Sequence, residues 1–175
     1  MSFSLNRISE ARVVRNYSDS KPMPNSRVNS EKLIFLIEED PGEVLEFEKA
    51  LLESRVQHPV RVLTSLAEAL PYLEGRGTFS NREIFPIPSM ILLNLDMPEE
   101  RPAQFIAAIR QAPELQSILL IGTTNACILE TRRRYDPGLN AIFRKQVDLS
   151  KTIALIRELE VVDEIMQIHS SFRLN

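Results

Sequence analysis

Short apolar blocks alternate with longer amphipathic stretches between residues 32 and 160, and the pair recurs five times. The blocks are Leu33-Ile34-Phe35-Leu36-Ile37, Val60-Arg61-Val62-Leu63, Met90-Ile91-Leu92-Leu93, Ile118-Leu119-Leu120-Ile121 and Ala141-Ile142-Phe143. They are near-continuously apolar, the pattern of strands buried on both faces of a parallel sheet. Between them, apolar residues recur at helical spacing. Val44, Phe47 and Leu51 share a face of a helix predicted from Pro41 to Ser54. Ser65 is placed to cap a second helix carrying Leu66, Ala69, Leu70 and Leu73, which ends at Gly75. Phe105, Ile106 and Ile109 mark a third helix from about Arg101 to Gln111, and a fourth spans Ala126 to Tyr135. Strict alternation of strand and helix predicts a doubly wound, five-stranded parallel sheet, the flavodoxin-like (βα)5 class.

The last helix starts near Asp148 or Ser150, with apolar residues at Ile153, Ile156, Leu159, Val162, Ile165 and Ile168. Residues 161–175 are thus an extension with a tail. Residues 1–31 are predicted to be an N-terminal arm, rich in arginine and closed by a Lys21-Pro22-Met23-Pro24 linker. The arm is either a mobile basic tail or one short docking helix through Leu5, Ile8, Val13 and Val14.

The third block ends abruptly in polar residues, Asn94 and Asp96, before Pro98. Side chains alternate along a strand, so both are expected on one side, at the carboxyl end of a central strand, where open α/β sheets place their chemistry. Three further strand ends are polar: Glu38-Glu39 after the first, Thr123 after the fourth, Lys145 after the fifth. Each has an ordinary structural reading as well. Glu38, Glu39 and Asp40 suit a helix N-terminus, Thr123 a turn, and Lys145 an ion pair with Glu39.

Composition narrows the function. Hydrophobic residues make up 43% and charged residues 26% of 175, with a net charge of −3, so a general nucleic-acid surface is not expected. The single cysteine, Cys127, excludes an internal disulfide and suits a reducing cytoplasm. No apolar run reaches the roughly 20 residues of a membrane helix. There is no glycine-rich phosphate loop and no Ser-His-Asp grouping, and the two histidines are His58 and His169, so an enzyme is not expected. An enzyme or small-ligand binder on a flavodoxin-like sheet remains as an alternative.

The four strand ends, in this order, resemble the receiver domain of two-component response regulators over roughly residues 32–160. The connection at 75–88 and the run Pro-Ser-Met-Ile-Leu-Leu-Asn-Leu-Asp-Met-Pro look most like the small single-domain regulators of phytochrome-type histidine kinases. The resemblance implies an acidic pair (Glu38, Glu39) holding Mg²⁺, an aspartate ending the third strand as phospho-acceptor, and a hydroxyl (Thr123) that bonds the phosphoryl group. It also implies a lysine (Lys145) that pairs with its charge. Phosphoryl transfer needs such a metal and cation to neutralise charge around an in-line nucleophile.

The chain departs from that pattern at the acceptor itself. Asn94 stands where the resemblance implies aspartate, and Asp96 where it implies asparagine. An amide is a poor nucleophile and brings no charge to a metal, so ordinary phosphorylation at 94 is chemically excluded. Gln146 follows Lys145 in place of proline, Ile142 takes the switch aromatic's position, Pro102 that of a loop glycine, and Gly122 that of a bulky apolar residue. The expected function is therefore an atypical response regulator in phosphorelay-type signalling. It would act as a phosphorylation-independent interaction module with no two-state switch. The alternative is a receiver using Asp96 as surrogate acceptor, one pleat (roughly 7 Å) from the usual place. Mg²⁺ is not required, and a weak set of Glu38, Glu39 and Asp96 is the one candidate. A sensor histidine kinase or phytochrome-type photoreceptor is the implied partner. The surfaces for contact are Arg132, Arg133 and Arg134 on the fourth helix, and Ile142, Val162 and Ile165, through which the resemblance implies a homodimer. About 15 residues beyond 160 are too few for a DNA-binding helix-turn-helix domain.

Overall fold

The computed structural model describes residues 13–15, 32–56, 58–97, 101–135 and 138–158. The elements are β1 (Val13–Arg15), β2 (Ile34–Ile37), α1 (Pro41–Glu53), β3 (Val60–Leu63), α2 (Leu66–Leu73), β4 (Met90–Asn94), α3 (Pro102–Gln111), β5 (Leu119–Thr124), α4 (Ile128–Tyr135) and β6 (Ala141–Arg144). A last helix, α5, is described over 149–158. The strands form one sheet in the order β1-β3-β2-β4-β5-β6, with every pair parallel.

Five of these strands are the doubly wound set that the sequence predicts; the sheet has a sixth. Val13 and Val14, expected in a mobile arm or short helix, extend along the free edge of β3, with Val13 opposite Val60 and Arg15 opposite Val62. Two adjacent β-branched residues suit a pleated backbone, and an edge strand offers unpaired N–H and C=O groups to any chain that reaches it. The expectations for Leu5, Ile8, Leu159, Val162, Ile165 and Ile168, and the homodimer drawn from the last helix, fall outside the described residues.

The apolar blocks sort by parity onto the two faces. Phe35, Ile37, Ile91 and Leu93 face α2 and α3, where Ala69, Tyr72, Leu73, Phe105, Ile106 and Ile109 complete one core. Ile34, Leu36, Met90 and Leu92 face α1 and α5, packing with Val44, Phe47, Leu51, Ile153 and Ile156. β2 and β4 are fully buried along their lengths, which is why their sequences read as runs rather than alternations. Strand order reverses between β2 and β4: β3 lies to one side of β2, and β4 to the other. That is the topological switch point, and its crevice opens at the carboxyl ends of these two strands.

The long connection after α2 is anchored by Arg82, whose Nη1 and Nη2 donate to the carbonyls of Tyr72 and Leu73 at 2.8 and 2.6 Å. Both carbonyls lie in the last turn of α2, where intrahelical donors run out, and Tyr72 O also accepts the Gly75 N–H at 3.1 Å. Phe79 and Phe85 pack on Tyr72, whose hydroxyl donates to Pro86 O at 2.9 Å. Gly75 turns this corner with φ +64°, a conformation open to glycine at little cost.

Candidate functional site

Glu38 and Asn94 sit on the two sides of the switch point. Glu38 follows β2 and still bonds to the sheet through its N–H to Leu63 O (3.0 Å). Asn94 is the last residue of β4, opposite Thr123 of β5. Lys145 follows β6, tied by its N–H to Thr124 O at 3.0 Å. The three side chains meet. Lys145 Nζ lies 2.7 Å from Glu38 Oε2, with the two side chains 7% and 5% exposed. Asn94 Nδ2 donates to Glu38 Oε1 at 2.9 Å, and Asp40 N–H donates to the same oxygen at 3.1 Å. Asn94 Oδ1 in turn accepts the N–H of Asp96 at 2.9 Å. One buried carboxylate therefore faces one buried ammonium, and an amide links that carboxylate to the loop after β4.

Lys145 pairs with Glu38, not with Glu39 as expected. Successive residues leaving a strand point to opposite sides, so Glu38 turns inward and Glu39 is exposed. Helix capping falls to Asp40, whose Oδ1 accepts from the N–H groups of Gly42 and Glu43 at 2.7 and 3.4 Å.

Asp96 does not share the side of Asn94. β4 ends at Asn94, so the two-residue alternation no longer governs the residues beyond it. The Asp96 carboxylate turns to the end of β5 and the loop after it, where Thr124 Oγ1 donates to Oδ1 and Asn125 N–H donates to Oδ2, both at 2.6 Å. Thr124 Oγ1 also accepts from Ala126 N–H at 3.0 Å. Asp96 thus staples the β4–α3 loop to the β5–α4 loop. Neither Thr124 nor Asn125 stands out in the sequence. The signal available there is two hydroxyl residues at the end of an apolar strand, which fixes no partner.

The resemblance to receiver domains implies a divalent cation at these strand ends, and the residues present do not fit one. The Glu38 carboxylate is already neutralised by Lys145, Asn94 offers an amide, and Asp96 is committed to Thr124 and Asn125. Among the described residues no three His, Cys, Asp or Glu side chains converge as a metal site requires. The set Glu38, Glu39 and Asp96 is not brought together.

The other strand-end and loop residues singled out in the sequence have distinct local surroundings. Gly122 gives way to Leu95 and Leu139: a Cβ at 122 would lie 2.6 and 2.9 Å from their Cδ1 atoms. Gln146 has φ +55°, which proline's ring forbids. Pro102 is buried and opens α3 at its first turn, where a missing N–H costs nothing. Ile142, like Tyr135 and Leu139, is half-buried and packs against the core under α2 and α3. Thr123 Oγ1 donates to Leu93 O at 3.3 Å. On α4 the buried residue is Thr131, and Arg132, Arg133 and Arg134 are all exposed.

The parallel sheet, its switch point and the polar ends of β2, β4, β5 and β6 form the receiver-domain fold of solved response regulators. The chain is homologous to phytochrome response regulators. It is 25% identical over 133 residues to Response regulator Rcp1 of Synechocystis sp., covering 75% of this chain and 88% of that protein. The structure of a phosphorylated cyanobacterial phytochrome response regulator, RcpA, matches 75% of this chain and 92% of its own, with 28% identity and a TM-score of 0.60. The bacteriophytochrome response regulator RtBRR matches 75% of this chain and 76% of its own, at 28% identity and a TM-score of 0.61. No family model matches the chain. Among the described residues no helix is long and apolar enough to cross a membrane.

Proposed function

We propose that this receiver is atypical: it works in two-component or phosphorelay-type signalling as a phosphorylation-independent protein-interaction module. One observation carries the reading. The residue ending β4 at the switch point is Asn94, 3% exposed, and its amide is spent on Glu38 and on the N–H of Asp96. An amide bonded on both ends offers no anionic oxygen for in-line attack on phosphorus. Asp96 as surrogate acceptor has less support, because both of its oxygens already accept hydrogen bonds from Thr124 and Asn125, away from the Glu38–Lys145 pair. In-line chemistry loses rate steeply with about 1 Å of misplacement. The partner is a protein of the kind the homologues serve, a sensor histidine kinase or phytochrome-type photoreceptor, and the module requires no metal and is no enzyme.

The test is the intact mass of the full chain after incubation with acetyl phosphate and Mg²⁺, beside an Asp96→Asn variant. An unmodified mass for both is expected. A labile phosphoryl adduct on the wild type that disappears in the variant would make Asp96 the acceptor and overturn the reading. An adduct on both proteins would overturn it too, and peptide mapping would find the residue used.

A further inference from the structure

We propose that the strand-end site carries its own cation: the Lys145 ammonium takes the place of a divalent ion against Glu38 and keeps such ions out. The proposal concerns the same site as the interaction-module reading and rests on it in taking Asn94 as the resident of the β4 end. Four observations support it. The ammonium is in direct contact with the carboxylate at 2.7 Å, and both side chains are more than nine-tenths buried. The second carboxylate oxygen is filled by the Asn94 amide and the Asp40 N–H. The site therefore contains one negative charge, already balanced, and both carboxylate oxygens have close donors. Finally, the pocket beside it is lined by Glu38, Glu43 and Glu46 against Arg144 and Lys145. Without the lysine's charge, those three carboxylates would face one guanidinium, a setting that draws cations.

A hard dication needs several oxygen ligands and gives up its water reluctantly. To bind here it would have to displace an ammonium that is covalently held at the site, and leave that ammonium buried beside it. The Lys145–Glu38 pair thus makes the pocket's conformation indifferent to Mg²⁺ and Mn²⁺. Removing the lysine charge inverts this. A buried carboxylate without its counter-charge is relieved by any cation that reaches it, so the native state then gains from metal.

The experiment follows thermal unfolding of the full chain with Mn²⁺ titrated from zero to millimolar, for the wild type, Lys145→Ala and Lys145→Gln. The glutamine variant removes the charge and keeps an uncharged hydrogen-bond donor on a shorter side chain, so it reads the result where the alanine variant does not fold unaided. Expected are a flat midpoint for the wild type and a saturable rise of several degrees for the charge-removed variants. A saturable Mn²⁺-dependent rise in the wild type, with paramagnetic broadening of the amides of Glu38, Asn94 and Lys145, overturns the proposal. Folded variants that stay as flat as the wild type overturn it as well, since the exclusion would not then belong to Lys145. The same wild-type sample is weighed after acetyl phosphate treatment. An adduct there overturns the interaction-module reading, whereas a Mn²⁺ response without an adduct sinks only this proposal.

Discussion

Replacing Lys145 by Met is the sharpest probe of the buried site, because the magnitudes are large and opposed. At 2.7 Å and an effective dielectric of about 20, the Lys145–Glu38 attraction is about 6 kcal/mol. Withdrawing each ion from water costs several kcal/mol, so the intact pair is close to balanced rather than strongly stabilising. Removing one partner removes the attraction and leaves the other's desolvation. In Lys145→Met the Glu38 carboxylate keeps only the Asn94 amide and the Asp40 N–H. The expected loss is about 3–5 kcal/mol, a large share of the stability of an ordinary domain. In Lys145→Met with Glu38→Gln, the charge is gone and a side-chain oxygen still accepts from Asn94. That double variant should return to within about 1 kcal/mol of the wild type, with a coupling energy of at least about 2 kcal/mol in the cycle. Urea unfolding of the four proteins, with unchanged slopes, is the assay. A loss below about 1 kcal/mol for Lys145→Met, or additive single effects, would refute the buried pair and with it the argument that the site is electrostatically closed.

Three further outcomes are expected. Gly122→Ala forces a methyl against Leu95 and Leu139 and should destabilise by about 1–3 kcal/mol in urea unfolding, whereas a neutral effect would mean that those leucines do not fill the space. Asp96→Ala leaves the buried Thr124 hydroxyl without its acceptor. It should cost about 1–2 kcal/mol and speed hydrogen exchange at Asn125 and Ala126, an increase that would be missing if the two loops were independent. Burial pushes the Tyr72 phenol up to about 12 from 10.0, against the opposing pull of Arg61 and Arg82. The folded state thus disfavours the phenolate. The stability from this group is fully present below pH 10.0, falls as the unfolded chain ionises, and is lost by about pH 12, a change of about 2–3 kcal/mol that Tyr72→Phe should abolish in pH-dependent unfolding.

Most of the sheet was legible because burial on both faces leaves an unmistakable mark. β2 and β4 are central, so their residues have no polar side to show, and their limits agree with the apolar blocks to within a residue. β5 runs further than its apolar block, through Gly122, Thr123 and Thr124. Parallel neighbours hold those polar residues in the ladder, Asn94 opposite Thr123 and Arg144 opposite Thr124. β1 was not legible as a strand. Three residues with two valines carry little local preference, and what fixes them is the free edge of β3, a tertiary fact. The Glu38 partnership with Lys145 could have been read by carrying strand alternation one residue past Ile37. The turn of Asp96 could not, since it depends on where β4 lets go and on Leu95 dropping into the space that Gly122 leaves.

The placement of Asn94 and Asp96 two positions apart suits both halves of the site at once. An aspartate at 94 would put two carboxylates about 3 Å apart against one ammonium, since Asn94 Nδ2 lies 2.9 Å from Glu38 Oε1. Like charges that close in a buried place demand a metal, a shared proton or a second cation. The amide replaces repulsion with a hydrogen bond, and the pair becomes neutral with Lys145 alone. The carboxylate two residues on would be ordinary in solvent, but here it finds a buried hydroxyl and a backbone N–H on the next loop, both at 2.6 Å. This arrangement keeps a second negative charge out of the place where it would call for a cation, and sets one where it ties two loops together. Loops tied by a carboxylate between them favour one lasting surface, the kind that the proposed interaction module would present to its partner.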